Sequence, residues 1–136
     1  MRLMRGLLAS AVLSGALMTA QACASSGTTI SSEAAGVLAN NPNAAALKVT
    51  DNNFQDMDVF AVMDGVATRL GTVTGAGGTR MFVLDPSYLS SSHLAIVATP
   101  IGGGGRASTG QILVNRGDEV DFVIQPQLSA SSVFIR

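Results

Sequence analysis

Between residue 46 and residue 136 the chain is broken into short apolar runs, and none repeats with the 3.6-residue period of a buried helix face. The runs 46–50, 57–63, 66–73, 79–84, 93–99, 111–115, 120–125 and 132–136 are rich in Val, Ile, Phe, Leu and Thr. Clusters of Gly, Asp, Asn, Ser and Pro separate them, the pattern of strands and turns. Asp64-Gly65 between two such runs tolerates the positive φ values of a type I′ turn, whose twist matches its strands. The predicted hairpin register sets Met63 opposite Val66, Ala61 opposite Thr68 and Val59 opposite Leu70 on the core face, with Val62 opposite Ala67 and Phe60 opposite Arg69 on the other. A second return is predicted at Asn115-Arg116-Gly117-Asp118, where Gly117 takes the left-handed conformation. Eight short strands with close turns and no helix between them predict an antiparallel β-sandwich, immunoglobulin-like or transthyretin-like in general shape.

The core has to form without staples. One Cys excludes an internal disulfide, and one Cys with one His removes the usual ligand sets for structural zinc. Composition is adequate, with 47% apolar and 12% charged residues. Alternation assigns Leu47, Val49, Val59, Ala61, Leu70, Val73, Phe82, Leu84, Leu94, Ile96, Ile112, Val114, Val120, Phe122, Ile124 and Val133 to the interior. At about 1.5–3 kcal/mol per large buried side chain, these offset the chain entropy of one domain. Eight basic against nine acidic side chains, with no basic cluster, leave nothing to neutralise a run of phosphates, so nucleic acid is not an expected partner.

The first 22 residues have a different texture. Arg2 and Arg5 precede an uncharged apolar stretch over residues 6–18, followed by Thr19, Ala20, Gln21, Ala22 and then Cys23. That is the three-part pattern of an export signal, and its apolar stretch is about 20 Å long as a helix against a hydrocarbon core of about 30 Å. Small residues at Ala20 and Ala22 directly before Cys resemble the lipobox of bacterial lipoprotein precursors, with Ala20 where that family favours Leu and Gln21 where it favours a small residue. The resemblance covers the signal alone. It implies that the Cys23 sulfur takes a diacylglyceryl group, that cleavage removes residues 1–22, and that the chain is held to a membrane by its N-terminal lipid. Ala24 and Ser25, where the family's inner-membrane retention mark would be Asp, point to the outer membrane, facing the periplasm. Ala20-Gln21-Ala22 is also an ordinary A-x-A cleavage site, which leaves open a secreted or periplasmic soluble protein. Residues 23–45, rich in Ser, Ala, Asn and Gly, read as a lipidated Cys and flexible tether, and 46–136 as the domain. A competing reading places one short helix over Glu33 to Ala39, capped by Ser32 and stopped by Asn40-Asn41-Pro42.

Four features bear on chemistry. Asp51, Asn53, Asp56 and Asp58 offer the oxygen ligands that calcium prefers, though not at EF-hand spacing. Residues 100–106, with four consecutive glycines, resemble a phosphate-binding loop in composition but lack the helix such a loop opens. Arg116-Gly117-Asp118 spells an adhesion tripeptide that a glycine turn explains as well. His93, the only imidazole, follows Ser90, Ser91 and Ser92, without the G-x-S-x-G setting of a serine hydrolase. No catalytic set and no cofactor site is predicted. The expectation is a non-catalytic, lipid-anchored envelope protein whose sandwich, including an edge at residues 132–136, contacts an envelope protein or polymer. The alternative is a secreted or anchored sandwich that binds calcium or a small ligand.

Overall fold

The computed structural model describes residues 29–136. Eight strands form two four-stranded sheets packed face to face. They are β1 (Ala45–Asp51), β2 (Met57–Met63), β3 (Val66–Val73), β4 (Gly78–Leu84), β5 (Leu94–Pro100), β6 (Ala107–Ile112), β7 (Glu119–Ile124) and β8 (Ser132–Ile135). Sheet A has the order β4-β1-β7-β8 and sheet B the order β3-β2-β5-β6. Every ladder is antiparallel except β1–β7, which is parallel, with Leu47 opposite Val120 and Val49 opposite Phe122. The reason lies in the connections. Each strand reverses the direction of the one before it, so β1 and β7, both odd in chain order, run the same way once they become neighbours. One end of the sandwich, here called apical, therefore carries the entry to β1, the β2–β3 hairpin, the β4–β5 and β6–β7 loops and the end of β8. The opposite, basal end carries the loops β1–β2, β3–β4, β5–β6 and β7–β8.

Fourteen of the sixteen residues assigned to the interior by alternation are buried, while Leu70 and Val133 are half-buried and pack against the core. Phe122, Leu47, Met57, Leu84 and Ile124 are fully enclosed. The hairpin turn forms as predicted, with Asp64 at φ 51° and Gly65 at φ 78°. Its register holds from the turn to the pair Phe60–Arg69, then slips at a bulge that sets Val59 opposite Gly71 rather than Leu70. A Cβ at position 71 would stand 2.9 Å from the Phe82 ring and 3.1 Å from an Arg80 nitrogen on the opposite sheet, so a larger residue there would force those side chains to shift. Arg80 stacks over Phe82 at 5.0 Å and donates to the Thr72 carbonyl at 2.8 Å, which closes this edge of the sandwich.

The stretch expected to be tether is structured from Ser31 onward. Helix α1 (Ser32–Asn40) crosses the outer face of sheet A at its apical end, against β1 and β4. It follows the competing short-helix reading with its cap one residue earlier: the Ser31 hydroxyl accepts from the Ala34 N–H at 3.1 Å. Nine residues are marginal as an isolated helix, so docking has to hold it. Ala34 is fully buried beneath it, and the buried Ala46 on the outward parity of β1 lets it approach, while Ala45 faces the core. At its N-terminus the wholly buried carboxylate of Glu119 accepts from the Ser31 backbone N–H at 2.6 Å and from the Ser31 hydroxyl at 2.8 Å. Arg136 continues the β7–β8 ladder opposite Glu119 through bonds of 2.8 and 3.0 Å, and its guanidinium reaches Asp121 at 2.8 Å and Glu119 at 3.6 Å. One side chain thus latches the start of the domain to its end.

Candidate functional site at the basal loops

The β1–β2 turn is the hub of the basal end, because its backbone and side chains meet the three other loops. Ala76 and Gly77 donate their N–H groups to the carbonyls of Asn53 and Asp51, each at 2.6 Å. Gly75 donates to an Asp56 carboxylate oxygen at 3.0 Å. From the β5–β6 loop, Ile101 donates to the Asp56 carbonyl at 2.9 Å, and the Asn53 amide reaches the Pro126 carbonyl of the β7–β8 loop at 3.0 Å. Two glycines make the approach possible: a Cβ at Gly75 would lie 2.7 Å from the Gln55 carbonyl oxygen, and one at Gly103 would run into the Gln55 side-chain amide. The surface these loops enclose is apolar at its tips, with Phe54 81% and Ile101 52% exposed.

Alternation splits the four oxygen-bearing residues singled out in the sequence. Asp51 shares the inward parity of Leu47 and Val49 and is fully buried, whereas Asp58 shares the outward parity of Phe60. Asp58 is paired with Arg69 and Thr72, both at 2.7 Å, and these bonds hold its carboxyl below the ordinary value of 3.8. Asn53 turns its side-chain oxygen onto the Gln55 N–H at 3.0 Å. Asp56 lies near enough to Asp51 for their charges to repel. Calcium takes six to eight oxygens. Among the described residues no three His, Cys, Asp or Glu side chains are grouped to hold a metal ion. The turn serves as a hydrogen-bonded brace, with Asp58 turned away from the other three.

Asp51 is the strained member of that brace. One oxygen accepts from the Asn53 N–H at 2.9 Å, and the other, Oδ2, is buried without a partner. Burial pushes its carboxyl above 3.8, the Asn53 bond offsets part of that, and the charge of Asp56 adds to it. The folded state thus holds this proton more tightly than the unfolded chain does. The destabilisation is complete above the folded pKa and is relieved as pH falls through it toward 3.8. Asp51→Asn is expected to raise stability at pH 7, by on the order of 1 kcal/mol, with the gain shrinking as pH approaches 4. Urea titrations at both pH values check this. Millimolar calcium is expected to leave both melting temperatures unchanged; a rise in the parent that Asp51→Asn abolishes would contradict the brace.

The remaining candidates lie elsewhere. His93 is at the apical surface, its Nδ1 2.8 Å from Asp64 Oδ1, while the Ser91 hydroxyl accepts from the His93 backbone N–H. The Arg116-Gly117-Asp118 turn is also apical, with Gly117 at φ 85° and the Asp118 carboxylate accepting from the Asn115 N–H at 2.8 Å. Asp118 thereby closes its own turn. The glycine loop joins strand to strand, with no helix to open. Cys23 and the signal lie outside the described residues. A shallow apolar depression of about 380 Å³ on the outer face of sheet B, lined by Phe60, Val62, Ala67 and Val97 with Arg106 at its rim, was not singled out from the sequence. Its only sequence signal was the alternation that turned Phe60 and Val62 away from the core.

No family model matches the chain, and no curated protein matches it. Among solved structures, an NMR structure of a protein from Eubacterium rectale is similar over 71% of this chain and 91% of its own, at 15% identity and a TM-score of 0.46. Among the described residues no helix is long and apolar enough to cross a membrane.

Proposed function

We propose that the protein is a non-catalytic, lipid-anchored module of a bacterial cell envelope, held by Cys23 at the outer membrane and facing the periplasm. Its sandwich works by contact with an envelope protein or polymer. The observation that carries this reading is the position of Cys23, after an export signal and eight residues before Ser31, where the Glu119 latch begins. The chain enters the domain at its apical end, so the basal loops point away from the anchor with their two exposed apolar tips, Phe54 and Ile101. A contact surface at the free end of an anchored domain is the arrangement a tethered adaptor needs. The braced β1–β2 turn favours the same role, because a surface held by bonds to three neighbouring loops loses little entropy when it binds.

Photo-cross-linking in cells tests this. A photoreactive residue at position 54 or 101 is expected to capture a discrete envelope component, and the same group at the apical position 116 is expected to capture much less. Recovery of free monomer alone, from all three positions and under several growth conditions, would contradict the proposal.

A further inference from the structure

We propose that β8 is a pairing edge, along which a second copy of the chain adds its own β8 in antiparallel fashion to make one continuous eight-stranded sheet; this does not depend on the lipid-anchor reading above. The four sheet edges differ in how they are protected. Bulges and charged side chains that point inward guard an edge against pairing. On one side of the sandwich Arg80 of β4 has the inward parity of Phe82 and donates to the Thr72 carbonyl of β3, so one cation guards both edges there. Strand β3 also carries the bulge opposite Val59 and Phe60. On the other side β6 is irregular between its pairs with Ala95 and Val97, and the Gly110 N–H and carbonyl are taken by the hydroxyls of Ser108 and Thr109 at 3.1 and 2.7 Å. Strand β8 carries neither guard. Its register with β7 is unbroken from Ser132 to Ile135, and it presents Val133, Phe134 and Ile135 in succession.

Exposure on both faces selects a strand as the occupant. Phe134 faces outward and is 61% exposed, and Ile135, on the inward parity of Val133, is 39% exposed. A surface laid on either face would cover one of them, whereas an added strand flanks both. The backbone is in phase for it. Arg136 and Glu119 exchange both of their bonds, so by alternation Phe134 bonds to Asp121, and the N–H and carbonyl groups of Val133 and Ile135 turn to the open edge. Symmetry about Phe134 selects a second copy. A two-fold axis centred there pairs every residue from 132 to 136, with Val133 exchanging bonds with the second copy's Ile135 and Ile135 with its Val133. Phe134 then meets its own counterpart in a non-hydrogen-bonded pair, where side chains stand closest. Arg136 stays with Asp121 and Glu119 and falls opposite Ser132, so no like charges meet, whereas a centre at Arg136 would oppose two guanidiniums. So short a ladder buries less than the roughly 1,200–2,000 Å² of a stable complex, so the pair is weak and forms where copies are concentrated.

A weak pair is best trapped covalently. The full chain carrying Phe134→Cys is made in a bacterial host and oxidised in cells with copper phenanthroline. Two controls run beside it: the parent, whose only thiol is Cys23, and Val83→Cys, exposed on the guarded β4. The expected result is a disulfide-linked homodimer of Phe134→Cys at roughly fivefold or more the level in either control, because two-fold-related side chains in a non-hydrogen-bonded pair lie within disulfide reach. Adding Ile135→Pro is expected to return it to the control level, since that N–H serves the edge and not β7. Ile135→Lys, which keeps the backbone donor and sets a charge at the edge, is expected to lower it as well. Circular dichroism of each variant confirms that the sandwich is intact. Four results overturn the proposal: dimer no more abundant than in the controls, dimer unmoved by both Ile135 substitutions, linkage of Phe134→Cys to a different protein, and a bond within one chain to Cys23, which would mean that the chain's own N-terminal segment lies along the edge.

Discussion

Glu119→Ala is expected to cost about 3–4 kcal/mol, a large fraction of the stability of a domain this size. The carboxylate is wholly buried and accepts two short bonds from Ser31, one from the backbone and one from the hydroxyl that also caps α1. Truncation leaves the Ser31 N–H and hydroxyl facing a void, and removes one of the two carboxylates that hold the Arg136 side chain. The loss has a location as well as a size. Hydrogen exchange at the α1 amides is expected to rise toward that of an open helix, while amides in β2 and β5, on the other sheet, keep their relative protection. Ser31→Ala is expected to cost about 1–2 kcal/mol, and the double variant less than the sum of the two, because both substitutions remove the same bonds. Denaturant titration of the four proteins completes the cycle. A cost under about 1 kcal/mol for Glu119→Ala, or strict additivity, would mean that Glu119 does not hold the helix.

Phe122→Ala is expected to cost about 3–5 kcal/mol. Phe122 is fully enclosed on β7, with Val49 beside it across the parallel ladder and Val133 across the antiparallel one. No side chain can collapse into the space it leaves without moving a strand of sheet A. Phe134→Ala, on the next strand but facing outward and 61% exposed, is expected to fall within about 0.5 kcal/mol of the parent in detergent-free solution. The two Phe substitutions share one chemistry and differ in the face they occupy, so their ratio measures the alternation on which the sandwich rests. Urea unfolding of both is the check, and comparable costs would contradict the assignment of faces.

What the sequence made legible was local. Asp64-Gly65 announced its turn, and strict period-two alternation announced which of Leu47, Val49, Val120, Phe122 and Ile124 face inward. What it hid depends on partners distant in the chain. The glycine at position 71, beside the β2–β3 bulge, faces Phe82 and Arg80 of the other sheet, which crowd a Cβ there. Strand β6 starts four residues before the predicted run, since Ala107, Ser108, Thr109 and Gly110 form an edge strand with little apolar signal. The parallel β1–β7 ladder joins segments some seventy residues apart, which no local pattern encodes.

The same distinction governs the sites. Nothing in the local sequence singles out Glu119, whose parity is opposite to that of the inward-facing Val120. The covering helix turns it into a buried latch, and Ala46, opposite Glu119 on the same outward row, is the small side chain that lets the helix approach. The oxygen-rich turn at residues 51–58 had the right composition for calcium, but composition does not fix direction. Asp51 ends β1 at inward parity and Asp58 enters β2 at outward parity, so Asp58 meets Arg69 on the outside while Asp51 faces the interior.

Attachment at the Cys23 sulfur is read directly by intact-mass analysis of the mature protein from membranes of a bacterial host. A chain that begins at Cys23 and carries a diacylglyceryl group is expected. A mature chain with an unmodified thiol at Cys23, or one that begins at Ala24 or Ser25, would contradict it.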